Sequence, residues 1–97
     1  MRRQYFVHYY RDFGNAYDLL YADTENELNL IPDEAEHITR KEAEALAAAE
    51  NYRRKYDRNF SGYADNAIYP VTMNEEDKMH LANSDKYYKS GYVWERI

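Results

Sequence analysis

The chain has no cysteine, three glycines, two prolines, one tryptophan and few aliphatic side chains: Leu, Ile and Val number 13, and three Phe raise the total to 16 of 97 residues. Each shortage excludes something. Without cysteine there are no disulfide scaffolds, zinc knuckles, iron–sulfur sites or thiol nucleophiles, and the composition fits a cytoplasmic protein. With so little Gly and Pro the chain should be mostly regular structure, and it carries no linker, repeat or low-complexity stretch. No window approaches eighteen apolar residues, so nothing in it reads as a membrane span. The start, Met1-Arg2-Arg3-Gln4-Tyr5-Phe6-Val7-His8, is basic like a signal peptide, but His8 and Arg11 interrupt the apolar stretch that should follow.

An aliphatic share this low warns of disorder when net charge is also high. Here the net charge is a modest −5, and twelve Tyr with Trp94 replace the missing apolar area. Each such ring buries on the order of 150–250 Å². A chain of this length forms one domain, 1–97, and hides roughly 60–65% of the surface it exposes when unfolded. Its core rests on tyrosine.

Local signals order the elements. Two aromatic runs, 4–11 and 16–22, flank Gly14-Asn15, a pair that tolerates the positive φ of a tight hairpin. With those two as turn residues, Arg11 faces Asp18, Tyr9 faces Leu20 and His8 faces Tyr21. One face then carries Tyr5, Val7, Tyr9, Leu20 and Ala22; the other carries Phe6, His8, Tyr10, Tyr17, Leu19 and Tyr21. Thr24-Glu25-Asn26-Glu27, Thr39-Arg40-Lys41-Glu42 and Thr72-Met73-Asn74-Glu75 are three capping boxes. The first opens a helix kept short by Pro32, and residues 35–39 follow as a brief strand. The second opens an Ala-rich helix over 41–57 with Ala45, Ala49, Tyr52, Tyr56 and Leu46 toward the core. Residues 59–66 read as a loop and 67–71 as a strand that Pro70 confines to an edge or a strand end. The third box opens a weaker helix with Met79 and Ala82, and Ser90-Gly91 leads into a last strand, 92–97. The expected class is α+β: a small mixed or antiparallel sheet, with two or three helices packed mainly on one face.

Charge is uneven. Residues 12–50 hold eleven acids against Arg40 and Lys41, whereas Arg2, Arg3, Arg11 and the run Arg53-Arg54-Lys55 are basic. The acids Asp23, Glu25, Glu27, Asp33, Glu34 and Glu36 span a short helix and a turn, where several carboxylates can sit at phosphate-like separations. With Tyr10, Tyr17 and Tyr21 as apolar anchors they form a candidate surface for a larger basic protein, since Tyr gives contact area at little entropic cost. The plainer alternative is that acids keep a small domain soluble and tyrosines fill its core. Arg53, Arg54 and Lys55, interleaved with Tyr52 and Tyr56 and extended by Arg2 and Arg3, have the composition of a nucleic-acid patch. They also suit a helix C-terminus, where cations complement the dipole, and a pI near 5 argues against general affinity for nucleic acid.

Catalysis and metals find no support. Ser61, Ser84 and Ser90 lack a nucleophile-elbow context and there is no phosphate loop. His8, His37 and His80 have no ligand spacing, and Glu76–His80 at i,i+4 is a surface pair. No cofactor is called for. A tiny, acidic, Tyr-rich, Cys-free chain resembles in type the accessory proteins of phages and mobile elements, including anti-CRISPR inhibitors. That resemblance implies a non-enzymatic protein that blocks the basic groove of a bacterial defence nuclease. Direct nucleic-acid binding and a small homodimeric structural protein are the alternatives.

Overall fold

The computed structural model describes residues 1–10, 17–56 and 67–97 (for 50–56 and 82, the backbone). They form an α+β domain, as the composition and signals require. In chain order its elements are β1 (Gln4–Tyr9), β2 (Tyr17–Ala22), α1 (Glu25–Leu28), β3 (Glu36–Ile38), α2 (Arg40–Tyr56), β4 (Ile68–Pro70), α3 (Glu75–Met79), a 3₁₀ turn (Leu81–Asn83), β5 (Tyr87–Ser90) and β6 (Val93–Arg96). The strands make one mixed sheet in the order β3-β1-β2-β4-β6-β5. Outer neighbours pair antiparallel, while β4 runs parallel to both β2 and β6. Parallel neighbours need a crossover, and α2 lies on the one that joins β2 to β4.

The first hairpin forms with a different register. Tyr9 faces Tyr17, His8 faces Asp18 and Tyr5 faces Tyr21, an offset of three residues from the expected pairing. Because side chains alternate, an odd offset turns every β2 side chain to the opposite face. Tyr5, Val7, Leu19 and Tyr21 therefore share one face, and there they meet Ala43 and Ala47 of α2, with Ile68 and Val93 beside them. Phe6 and Leu20 share the other, with Tyr69, Met73, Leu81, Tyr87 and Trp94. In this register the floor under α2 is apolar throughout, with the larger Leu19 and Tyr21 in place of Leu20 and Ala22. The Gly14-Asn15 turn and the Arg11–Asp18 pair lie outside the described residues.

Most of the helix lies on one face, as α2. The opposite face is closed by short pieces: the α1–β3 connection through Ile31, α3 and the 3₁₀ turn. Both faces are thus covered, which is how so many rings are hidden. The stripe of α2 that touches the sheet is Ala43, Leu46 and Ala47; Ala45 and Ala49 are exposed instead. In an alanine tract the sequence leaves the helix phase open, and the larger Leu46 sets it. Tyr17 Oη donates to the Leu46 carbonyl at 2.8 Å, tying β2 to the middle of the helix. The side chains of Tyr52 and Tyr56, and the 59–66 segment, lie outside what is described.

Two capping boxes form. Thr39 Oγ1 accepts from the Glu42 amide and Glu42 Oε1 accepts from the Thr39 amide, at 3.1 and 3.2 Å. Thr24 Oγ1 accepts from the Glu27 amide, while Glu27 reaches one residue further back, to the Asp23 amide. The third does not: Asn74 caps α3 by accepting from the Asp77 amide at 2.7 Å. Two residues upstream the Thr72 hydroxyl is buried without a partner. Asn is as good a cap as Thr, and its position suits the start of the helix. Pro70 does end its strand, but that strand is central. The Tyr21 carbonyl accepts instead from Val71, at 2.9 Å, so the missing proline N–H costs no ladder bond. Strand β5 falls between the third helix and Gly91, where the sequence signals no element. It forms a hairpin with β6, in which Gly91 at φ +63° supplies the positive φ of a two-residue turn.

Candidate functional site

The sheet face opposite α2 is not closed evenly. Along β1 the alternate positions Phe6 and His8, and Tyr10 just beyond the strand, are only half-buried. His37 of β3 pairs with Phe6 and is exposed, its ring 5.2 Å from the phenyl ring. The His8 and Tyr10 rings meet edge to face at 5.4 Å. These four rings make a half-open strip at the β3 side of the sheet.

Carboxylates border the strip. The connection from α1 to β3 crosses this face, buries part of Ile31, and brings Glu34 Oε2 to 3.4 Å from His8 Nε2. Asp33 and Glu36 flank Glu34 in the chain and are exposed. On the far side the Tyr10 hydroxyl donates to Asp18. Asp18 Oδ2 lies 3.6 Å from Lys78 Nζ, and Glu75 Oε1 lies 3.4 Å from the same ammonium. Lys78 is buried, and its charge also faces the Tyr69 ring at 5.3 Å. Burial first, then the bond to Asp18 and the fields of Asp18 and Glu75, push the Tyr10 phenol far above its ordinary range. Tyr10 is therefore held as a neutral donor.

The expected acidic and aromatic residues separate into two groups. Tyr10 and Glu34 come together at the strip, and Asp33 is exposed next to Glu34 in the chain; Glu36, paired with Val7, is on the α2 side of β3 instead, and Glu25 stands exposed on α1. Tyr17, Tyr21, Asp23 and Glu27 are used inside the fold. Tyr21 is 2% exposed, beneath the Arg3 guanidinium at 4.0 Å from its ring centre, and is no surface anchor. Arg3 grips Asp23 through two nitrogens and reaches Glu95 at 2.7 Å. Burial opposes the Arg3 charge, but these two carboxylates outweigh it and hold the guanidinium more firmly protonated. Glu95 also accepts from the Tyr88 hydroxyl at 2.7 Å, and that bond, then Arg3, keeps its carboxyl below the usual range. Glu27 is buried against Arg96.

The basic candidates do not form one patch. Arg2 and Arg3 lie beside Arg40 at the start of α2. Arg53-Arg54-Lys55 begin thirteen residues further along that helix, about 20 Å away at 1.5 Å per residue. Their side chains are outside the described set. Glu76 and His80 are both exposed, His80 at the end of α3, and among the described residues no group of three or more His, Asp or Glu could hold a metal ion. Among them too, no helix is long and apolar enough to cross a membrane. His8 and His37 have their place in the strip as rings; alternation along β1 already put His8 on the face of Phe6 and Tyr10, whereas nothing in the sequence pointed to His37.

The architecture defines the class, a small α+β domain with a mixed sheet. No protein family, curated protein or solved structure matches the chain.

Proposed function

We propose that this is a non-enzymatic protein-binding module. It sets the Phe6–His8–Tyr10–His37 strip, with the Glu34 carboxylate at its border and the exposed Asp33 and Glu36 along the same edge of the sheet, against a basic surface of a larger protein. One observation carries the reading. Asp23, Glu27, Glu95 and Asp18 are neutralised in place by Arg3, Arg96 and Lys78, whereas Glu34 stands exposed beside the half-open ring of His8, and Asp33 and Glu36 are exposed in the same segment without a cation among the described residues. Residues 24–38 contain five acids and no Lys or Arg, so the field there is of one sign. Rings flanked by carboxylates suit arginine and lysine, which stack on aromatic faces and pair with carboxylates. Proteins that present many such cations in one groove are those that handle nucleic acid. The chain would compete for that groove, as a stoichiometric inhibitor of a defence nuclease does.

The test compares capture by the native chain with capture by a variant carrying Glu25→Lys, Asp33→Lys, Glu34→Lys and Glu36→Lys. All four positions are exposed, so folding should survive the change. The expected outcome is one partner held by the native chain, lost with the variant, and released from the native chain by excess single-stranded nucleic acid. Undiminished capture by the variant, or a partner indifferent to nucleic acid, contradicts the proposal.

A further inference from the structure

A cleft of about 350 Å³ opens where the start of β1, the end of β3 and the start of α2 meet, sharing only His37 with the ring strip. Its lining includes Arg2, Arg3, Gln4, Thr39, Arg40 and Glu42. Three arginines among the lining residues of one small cavity run against the −5 charge of the whole chain. From this cavity we infer a second binding site, one for a small phosphomonoester.

The donor inventory supports an oxyanion. Glu42, the acid of the lining, holds the Thr39 amide through Oε1, so its carboxylate serves as a cap. Thr39 Oγ1 accepts from the Glu42 amide, which leaves the hydroxyl proton to donate elsewhere. Arg3 is spent on Asp23 and Glu95 and acts as a fixed wall. Arg40 bonds Glu44 through Nε alone, in an exposed pair worth little, and keeps its terminal nitrogens. Arg2 is exposed, forms no ion pair among the described residues, and has its backbone carbonyl held by Gln4 Nε2 at 3.1 Å. Arg2 and Arg40 can therefore close on one dianion from two sides, as bidentate guanidinium recognition of phosphate requires.

Size and field narrow the class. The cleft exceeds a bare phosphate and matches the lower end of small-ligand sites, roughly 300–1,000 Å³. A long polyanion would run onto the acidic surface of residues 24–38, which penalises a nucleic-acid strand. A single phosphate ester, with its organic part against the lining residue His37, meets neither objection.

Titration of the native chain with AMP and with inorganic phosphate, against chloride at matched ionic strength, tests this by amide chemical shifts. Both phosphates should shift residues 2–5 and 37–42 selectively, AMP at lower concentration. Arg2→Ala with Arg40→Ala should weaken both by at least about tenfold, and Arg2→Lys with Arg40→Lys should restore only a minor part, since an ammonium keeps the charge but not the fork. No localised shift up to about 10 mM overturns the site, as does an undiminished response of the double alanine variant. Binding of phosphate without AMP overturns the ester. All these positions are on the surface, so thermal melting of the variants separates loss of binding from loss of fold.

Discussion

Tyr69→Ala is expected to lower the melting temperature by roughly 15–30 °C. Tyr69 is 1% exposed on the central strand β4, among Leu20, Met73, Leu81, Tyr87 and Trp94. Removing a fully buried large ring costs about 3–5 kcal/mol, because the walls relax only partly into the space. The Lys78 ammonium, itself buried, would also lose the ring face it now meets. A domain of this size has about 5–15 kcal/mol in total, and each kilocalorie moves its midpoint by roughly 4–8 °C. Tyr88→Ala is the control, since Tyr88 is half-exposed and its loss should stay within about 1 kcal/mol. Urea denaturation of the two variants measures the difference. A Tyr69→Ala protein as stable as Tyr88→Ala would show that the second core does not hold the sheet together.

The second large effect is alkaline unfolding. Burial, opposed by Arg3 and assisted by Asp23, pushes the Tyr21 phenol up to about 12, and Tyr10 is raised further. The unfolded chain releases these protons near pH 10 while the native state still holds them. Between pH 10 and 12 the unfolded state binds fewer protons, so stability falls as pH rises. Below pH 10 the contribution is complete. For Tyr21 alone the loss is about 2–3 kcal/mol by pH 12. Absorbance of tyrosinate and circular dichroism, followed together, should show exposed phenols ionising first and a last group ionising with loss of structure. Tyr10→Phe should flatten the dependence, having removed one linked proton. Ionisation of all twelve tyrosines near the ordinary value, with the fold intact, would contradict the buried placement.

Both expectations grow from the shortage of aliphatic residues. That shortage is resolved by two covers, not one. A one-sided core would leave an aromatic face bare, but Tyr5 and Tyr21 lie under α2 while Tyr69 and Tyr87 fill the opposite side. What stays open is the narrower Phe6–His37 strip. This could not be read from the chain, because it depends on where the α1–β3 connection lies. Features set within four residues were legible: the Thr24 and Thr39 boxes, the α2 span, the short strand before it. Those set by distant partners were not. The hairpin register depends on α2, the α2 phase on Leu46 against the sheet, and β5 on pairing with β6 across Gly91. For the site, acidity and Tyr10 were visible in sequence. The removal of Asp23 and Glu27 was hidden, because Arg3 and Arg96 stand 20 and 69 residues from them.

Hydrogen exchange of the chain, free and bound to the partner it captures, tests the partner surface most directly. Slowed exchange concentrated in residues 6–10 and 33–38 is the predicted result. Protection over α2 or over the Arg2–Arg40 cleft, with 6–10 and 33–38 unchanged, would contradict it.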